Sequence, residues 1–579
     1  MEENRNFIMA IVLTMAILFG WEYFYGAPMR EAAEQQAANE QAVDVDTAGV
    51  PQMAAGSAAD AGSIPGMSAP VVKQIATDRV EIIDGRDSIK IDSARLSGSI
   101  SLKGLRFDDL SLKDYHETVD KSSPIITLLN PSGSFNSYFA DFGWIGDGKR
   151  PDANSVWSAN KATLGAGETV TFTWDNGEGV IFNRDVALDN DYMFTVTQRV
   201  QNNSQTTLGM ATYGRVFREG RSGAQPLFIL HEGPIRVGED GKEEIAYEDL
   251  EDDTYERQEV SNGGWAGITD KEWMVAVIPD QSEDFVTNIS RTEQNGGEQF
   301  HVNFATNGVS VAPGVTFERS SRFFAGAKEI ELLEQYTEAG GIKMFDYAVD
   351  WGWFYFITKP IYFLLHFFYG IVSNFGIAIL LLTLLIKGIL FPMANKQYIS
   401  MARMKKLAPK MQKLKEKYGD DRARMQQETM KLYQEEKVNP LASCLPIFIQ
   451  IPIFFSLYKV LYVTIDMRHA PFYGWIKDLS APDPLLVTNL FGLIPWEPTG
   501  FLAIGILPVF MGATMYFQQK LNPPMTDPIQ QKVFAFMPII FTFILAGFSV
   551  GLVIYWTWNN ILTICQQWFI MRRVEALEK

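Results

Sequence analysis

The feature that most limits how this chain can fold is the apolar run from Val533 to Ile570. At about 38 residues it is too long for one membrane span. Gly547, Ser549 and Gly551 offer a turn in its middle, so two spans are expected there. Three further apolar stretches precede it, Ile361 to Phe391, Cys444 to Ile465 and Phe501 to Phe517. A fourth, Phe7 to Tyr25, ends in Trp21, Tyr23, Phe24 and Tyr25, the composition of an aromatic belt. Bulky Tyr25 and Pro28 flank Gly26-Ala27, a poor cleavage site, so residues 1–26 are expected to be an uncleaved signal anchor. The expectation is a polytopic α-helical membrane bundle with six spans. Leu485 to Trp496 is also apolar, but it is short and carries Asn489 and Pro495, and is expected to be an outside re-entrant or surface piece. Ile342 to Lys359, rich in Trp and Phe, is expected to be an interfacial helix (residues 342–359), the alternative being that it starts the next span.

The rest of the 579 residues is unlike this. Residues 27–70, rich in Ala, Gln, Gly, Ser and Asp, have no apolar period and read as a disordered tether. Over 71–340 the pattern turns to period two. Val170, Phe172 and Trp174 alternate with threonines, Tyr192, Phe194, Val196 and Gln198 with Met193, Thr195, Thr197 and Arg199, and Phe300, Val302 and Phe304 repeat the pattern. With Asn176-Gly177 and Asn262-Gly263 as turns, many short strands argue for a large extracytoplasmic β-sandwich. The acidic stretch Glu239 to Glu259 is expected to be a solvated loop. Two cysteines cannot form a disulfide framework, and five scattered histidines give no metal-ligand spacing, so no metal or cofactor is expected. A net charge of -18 excludes a general nucleic-acid binder.

Lysines and arginines set the orientation. The segment from Lys396 to Lys437 is the densest basic stretch and is expected in the cytoplasm, whereas Asp466 to Gly500 has only Arg468 and Lys477 and is expected outside. Arg572 and Arg573 place the tail inside. Six spans with both termini cytoplasmic satisfy these statements and put the β-domain outside the cytoplasm.

Two features carry chemistry. Lys387 follows Leu380-Leu-Leu-Thr-Leu-Leu-Ile386 and precedes Ile389, Leu390 and Phe391. A lysine at that depth costs about 2.5–3.5 kcal/mol on insertion scales, so it should face a wet cavity, unless it snorkels to the headgroups. Thr383 on the same face, Gln450 and Ser456 in the third span, and Asn559, Asn560, Thr563, Gln566 and Gln567 in the last point to a hydrated interior. The alternative for each is polar packing between helices. The second feature is residues 396–440. Met404, Leu407, Met411, Leu414 and Tyr418 step by three and four, and Gly419-Asp420-Asp421 ends one helix and caps another. A helical hairpin results, carrying Lys405, Lys406, Lys410, Lys413, Lys417, Arg422 and Arg424. It is at least a positive-inside loop, and as a docking arm it would meet nascent chain or ribosome. No phosphate-binding loop, H-E-x-x-H or G-x-S-x-G is present, which argues against an ATP-driven pump or a protease.

At particular words the chain resembles the YidC/Oxa/Alb family of membrane protein insertases in its Gram-negative form. They are Asn439-Pro-Leu-Ala-Ser-Cys-Leu-Pro-Ile-Phe-Ile-Gln-Ile-Pro-Ile-Phe454, Ala470-Pro-Phe472, Trp475-Ile-Lys-Asp-Leu-Ser480, Asp527-Pro-Ile-Gln-Gln-Lys532, Met537-Pro-Ile-Ile-Phe541 and Gly551-Leu-Val-Ile-Tyr-Trp556. The resemblance covers about 342–573. It implies an inner-membrane insertase and chaperone without ATP hydrolysis, working alone or with the Sec translocon on nascent membrane proteins, in contact with lipids and the ribosome. It implies a hydrophilic groove around Lys387 that draws in a substrate's short translocated segment while the apolar segment slides into lipid. Tyr555 matches an aromatic at the groove wall, its alternative being span packing. The hairpin is implied to capture substrates, and the β-domain to resemble sugar-binding supersandwich folds. Two departures stand out. The family's groove cation is typically arginine, and lysine keeps the charge but loses the planar fork. The tail after Arg573 is short, which argues against ribosome docking through it. A sugar-processing ectodomain would need paired carboxylates or a His–Glu couple, and His116, His231 and His301 show no such spacing. A transporter would show repeated span pairs, and none is clear.

Overall fold

The computed structural model describes residues 78–222, 230–251, 257–294, 297–418, 421–436, 445–496, 498, 502–522 and 528–577. The expected signal anchor and tether lie outside them, as does Cys444.

Strands run from Ser88 to Ala327, after a short helix α1 (Arg79–Asp84) capped by Asp78. Among the described residues they form sheets of eleven and nine strands. The first has Asp284–Gln294, Gly297–Thr306, Leu208–Glu219 and Tyr138–Gly146 side by side. The second has Trp273–Ile278, Thr316–Ala327, Met193–Asn202, Val180–Leu188 and Thr169–Asp175. Period-two alternation explains their packing. Phe194, Val196 and Val200 are buried while Thr195 points to solvent. Phe107 of the first sheet meets Phe323 and Phe194 of the second at centroid distances of 4.9 and 5.4 Å. Gln198 is the polar member of the buried row, and its Nε2 donates across the sandwich to Gly143 O at 2.8 Å. The β-sandwich expected from sequence is therefore present. The described residues of the acidic stretch are not a loop throughout. They form the strand Gly241–Glu244, a turn at Glu248–Leu250 and the strand Arg257–Asn262. Arg236 pairs with Glu243 and Glu259 at 2.6 and 2.9 Å, which lets acidic side chains sit on paired strands.

After the sandwich comes α2 (Ile330–Glu338). Residues 342–359 do not form the expected interfacial helix. They make a turn at Phe345–Ala348, bury Trp351, and enter α3 (Tyr355–Val372) only at their end. The run Ile361 to Phe391, expected as one span, is likewise broken. Ser373 adopts a left-handed conformation (φ 51°), and Asn374 Oδ1 accepts from Ile377 N at 3.0 Å to start α4 (Phe375–Ile389). Hydropathy is continuous across this break, so only the Ser-Asn pair marks it.

The remaining helices are α5 (Phe391–Tyr418), α6 (Arg422–Glu435), α7 (Leu445–Val463), α8 (Ile506–Leu521), α9 (Pro528–Leu545) and α10 (Val550–Leu577). The break between α9 and α10 falls at the expected glycines. Among the described residues α3 alone is an unbroken helix both long and apolar enough to cross a bilayer, and α4 and α5 form a pair bent by 66°. α10 packs against α4, α5, α7 and α8. The outer faces are apolar: Phe367 and Ile371 of α3, Leu384 of α4, Phe455 of α7, Phe510 and Phe517 of α8 and Phe543 of α9 are exposed. Such a surface suits lipid and not water. The opening of α9, residues 528–537, belongs to a compact unit of its own.

The sandwich is tied to one end of the helices. Lys459 of α7 meets Asp350 at 2.5 Å, both largely buried. Arg468, just past α7, donates to Glu272 at 2.7 Å and lies over the Trp273 ring. Lys359 at the start of α3 bridges Glu334 and Asp346 at 2.7 and 3.1 Å.

Candidate functional site: a polar cavity among apolar helices

Beneath the α4–α5 elbow lies a cavity of about 320 Å³. Four elements beside α4 line it, each by helical repeat. α10 contributes Tyr555, Asn559, Thr563 and Gln566, with Trp556 and Asn560 beside them. α7 contributes Gln450, Ile451 and Phe454, α8 contributes Met515 and Gln518, and α5 contributes Met393, Ala394, Gln397 and Tyr398. Lys387 and Leu390 close the elbow.

The polar groups engage one another across helices. Lys387 Nζ donates to Thr563 Oγ1 at 2.9 Å, and that hydroxyl donates to Asn559 O at 2.7 Å. Gln450 Nε2 donates to the Tyr555 hydroxyl at 3.0 Å. Asn560 Nδ2 donates to Thr514 Oγ1 at 3.2 Å, and Gln567 Nε2 to Asn522 Oδ1 at 3.3 Å. Among the described residues the lining holds one cation, several amides and no carboxylate. It therefore favours a polar or acidic guest. Phe454, Tyr458 and Tyr462 run along α7 toward the sandwich. With Trp556 against Phe454 at 4.6 Å, they fill the space on that side.

Of the nine residues expected in the groove, Lys387, Gln450, Tyr555, Asn559, Asn560, Thr563 and Gln566 line the cavity. Thr383 and Ser456 do not. Thr383 is buried, with its hydroxyl donating to Ile379 O of its own helix at 2.6 Å, and Ser456 is buried between helices. Spacing puts Thr383 on the Lys387 face, but it lies one turn, about 6 Å, nearer the start of α4, outside the cavity lining. Gln397, Gln518, Met393 and Met515 were not anticipated. Gln397 lies within the stretch read as the hairpin, yet α5 starts inside the bundle, and its four-residue step from Met393 was the signal.

The hairpin α5–α6 presents Lys405, Lys406, Lys410, Lys413, Lys417 and Arg424 on its exposed face, and Arg422 opens α6. Asp421 Oδ1 accepts from Arg424 N at 3.0 Å, and Lys410 meets Glu436 at 2.5 Å. Tyr398 and Met401 pack α5 on Ile570 of α10. Among the described residues no three His, Cys, Asp or Glu side chains converge as a metal site would need.

The family described as "60Kd inner membrane protein" matches residues 367–577, and that described as "YidC periplasmic domain" matches residues 88–364. The membrane protein insertase YidC of Rhizobium meliloti is 46% identical, over 99% of this chain and 96% of its own length. This chain belongs to the YidC membrane protein insertases. The YidC of Rickettsia felis is 44% identical over 98% of both chains. A solved structure, "Active YidC insertase crystal structure with the first transmembrane domain resolved", is 16% identical with a TM-score of 0.35, over 86% of this chain and 93% of that one. YidC proteins insert newly made proteins into the inner membrane and are not enzymes. The sandwich, α2 and the opening of α3 fall within the match to the YidC periplasmic domain, and the helices from the second half of α3 onward within the match to the inner membrane protein family.

Proposed function

We propose that the cavity is the insertion groove. A short polar or acidic translocated segment of a nascent membrane protein enters from the hairpin side and is held by Lys387 and the amides of α7, α8 and α10. The aromatic row toward the sandwich blocks free passage. The substrate's apolar segment leaves laterally into lipid, and its burial there, ~25 cal/mol per Å² of apolar surface, drives the step without ATP. The observation that carries this reading is the juxtaposition of Lys387 and Thr563 in a polar cavity with no carboxylate among its described residues, between helices with apolar outer faces.

The cation-bearing hairpin is the docking arm for the emerging substrate, and its Lys and Arg residues would also meet ribosomal surfaces. Six spans, cytoplasmic termini, the boundaries 1–26, 27–70, 71–340 and 341–579, and cooperation with the Sec translocon belong to the same proposal. The test is protease protection of a small single-span substrate synthesised beside liposomes that contain only this chain. Protected fragments are expected with the wild type, and they should fade with Lys387→Glu. Equal protection by Lys387→Glu would remove the electrostatic part of the mechanism, and none with folded wild type would remove autonomous insertion.

A further inference from the structure

The connection from α7 to α8 contains a segment that the groove mechanism does not use. Asp483 is buried at its base and accepts from Trp475 Nε1, Leu485 N and Leu507 N at 3.0, 3.1 and 2.8 Å. Val487 N donates to Ile504 O at 2.9 Å and Ile506 N to Leu485 O at 3.0 Å, so the two limbs close at the first turn of α8. From Pro484 to Trp496 there is no charged residue, the next being Glu497. Leu490, Phe491, Leu493, Ile494 and Trp496 are exposed, Leu493 to 82%. Single exposed apolar residues are ordinary, but five large ones within seven positions are not.

Most amides of the exposed tip are satisfied within the chain, as an apolar medium favours. In water a loop can leave its amides to solvent, whereas in a bilayer each must be satisfied within the chain. Here Leu490 N donates to Val487 O, Phe491 N to Leu486 O, Leu493 N to Leu490 O, Ile494 N to Asn489 O and Trp496 N to Ile494 O. Gly492 N donates to Asn489 Oδ1 at 3.0 Å. Leu490 and Phe491 are held left-handed (φ 51° and 61°), an unfavourable state for bulky side chains that here turns both outward. Val509 and Phe510 on the outer face of α8 are exposed as well, and Tyr473 and Trp475 are exposed aromatics of the kind found at membrane interfaces.

We propose that residues 485–496 form a rigid apolar wedge seated in the interfacial layer of the leaflet on the sandwich side, fixing the depth at which α8 enters the bilayer. The wedge rests on the bilayer placement proposed above. The test uses the full chain with Cys444→Ser and Cys565→Ser, a fluorophore on Leu493→Cys, and phosphatidylcholine vesicles carrying acyl-chain bromines. Labels at Phe510→Cys on α8 and Val156→Cys on the sandwich surface are the references. A wedge about 5–10 Å below the headgroups should lose about half of its emission to bromines near the headgroup end. Emission from Leu493→Cys as unquenched as that from Val156→Cys, with Phe510→Cys quenched, overturns the wedge alone. A label shielded from water yet unquenched also overturns it, in favour of a protein contact. An unquenched Phe510→Cys overturns the bilayer placement and the wedge together. Ile494→Cys gives the same reading if Leu493→Cys does not fold.

Discussion

Among the described residues Lys387 is the one cation of the cavity lining, and its ammonium rests on a threonine hydroxyl. A guest carboxylate therefore displaces no resident anion. Lys387→Arg keeps the charge and should insert substrates at close to the wild-type level, whereas Lys387→Glu should lower insertion about tenfold, equivalent to ~1.4 kcal/mol, in the protease-protection assay. In the sandwich, His301 is buried against Phe217, with Nε2 3.1 Å from Thr292 Oγ1. Burial first, and the Arg215 charge second, push its pKa down to about 3. The unfolded value is near 6.5, so neutral His301 contributes stability above that pH and loses it as pH falls toward 3. The loss is at most one proton, ~1.4 kcal/mol per pH unit. His301→Gln should flatten the acid limb of sandwich unfolding between those values, and an unchanged slope by circular dichroism would refute the assignment.

Elements were legible where periodicity or turn chemistry changed. The strands with period-two alternation, the hairpin cap at Asp421 and the α9–α10 break follow from local signals, whereas the strands of the acidic stretch, Gly241–Glu244 and Arg257–Asn262, do not. The α3–α4 break did not, because an apolar run looks the same whether it is one helix or two. Ser373 and Asn374 make the difference, and Asn374→Ala should cost about 1 kcal/mol of local stability through the lost cap, read as faster hydrogen exchange at the start of α4. Nearby, Gly376 sits against Phe472, which a side chain there would strike: an added Cβ would lie 2.0 Å from the ring. Gly376→Val should therefore lower the thermal midpoint more than Asn374→Ala does, by overpacking worth about 1–3 kcal/mol.

For the whole molecule, the ion pairs between sandwich and helices decide how rigidly the two act. Burial pushes the Asp350 carboxyl up, but the Lys459 ammonium, together with Lys242 and the Gly352 N–H, outweighs this, so its pKa lies below the usual range. Lys459→Ala would leave that carboxylate buried without its cation, at a cost on the order of 3–5 kcal/mol. The single variant should open the segment around Asp350 to protease, and Asp350→Asn in the same chain should recover much of the resistance. Equal sensitivity of single and double variants would show that the pair does not tie the sandwich down.

Sequence alone determined the division into a β-sandwich and an apolar helical part, the basic hairpin, and the presence of a cation where lipid would otherwise be expected. Hydropathy and periodicity are local quantities, and they follow from which side chains water excludes. Only the tertiary structure decided that Gln397 and Gln518 join Lys387 while Thr383 and Ser456 do not, that Asp350 meets Lys459, and that Leu490 and Phe491 point outward. Those outcomes depend on the rotation of each helix about its axis and on contacts between residues far apart in the chain. A single sequence carries no term for either.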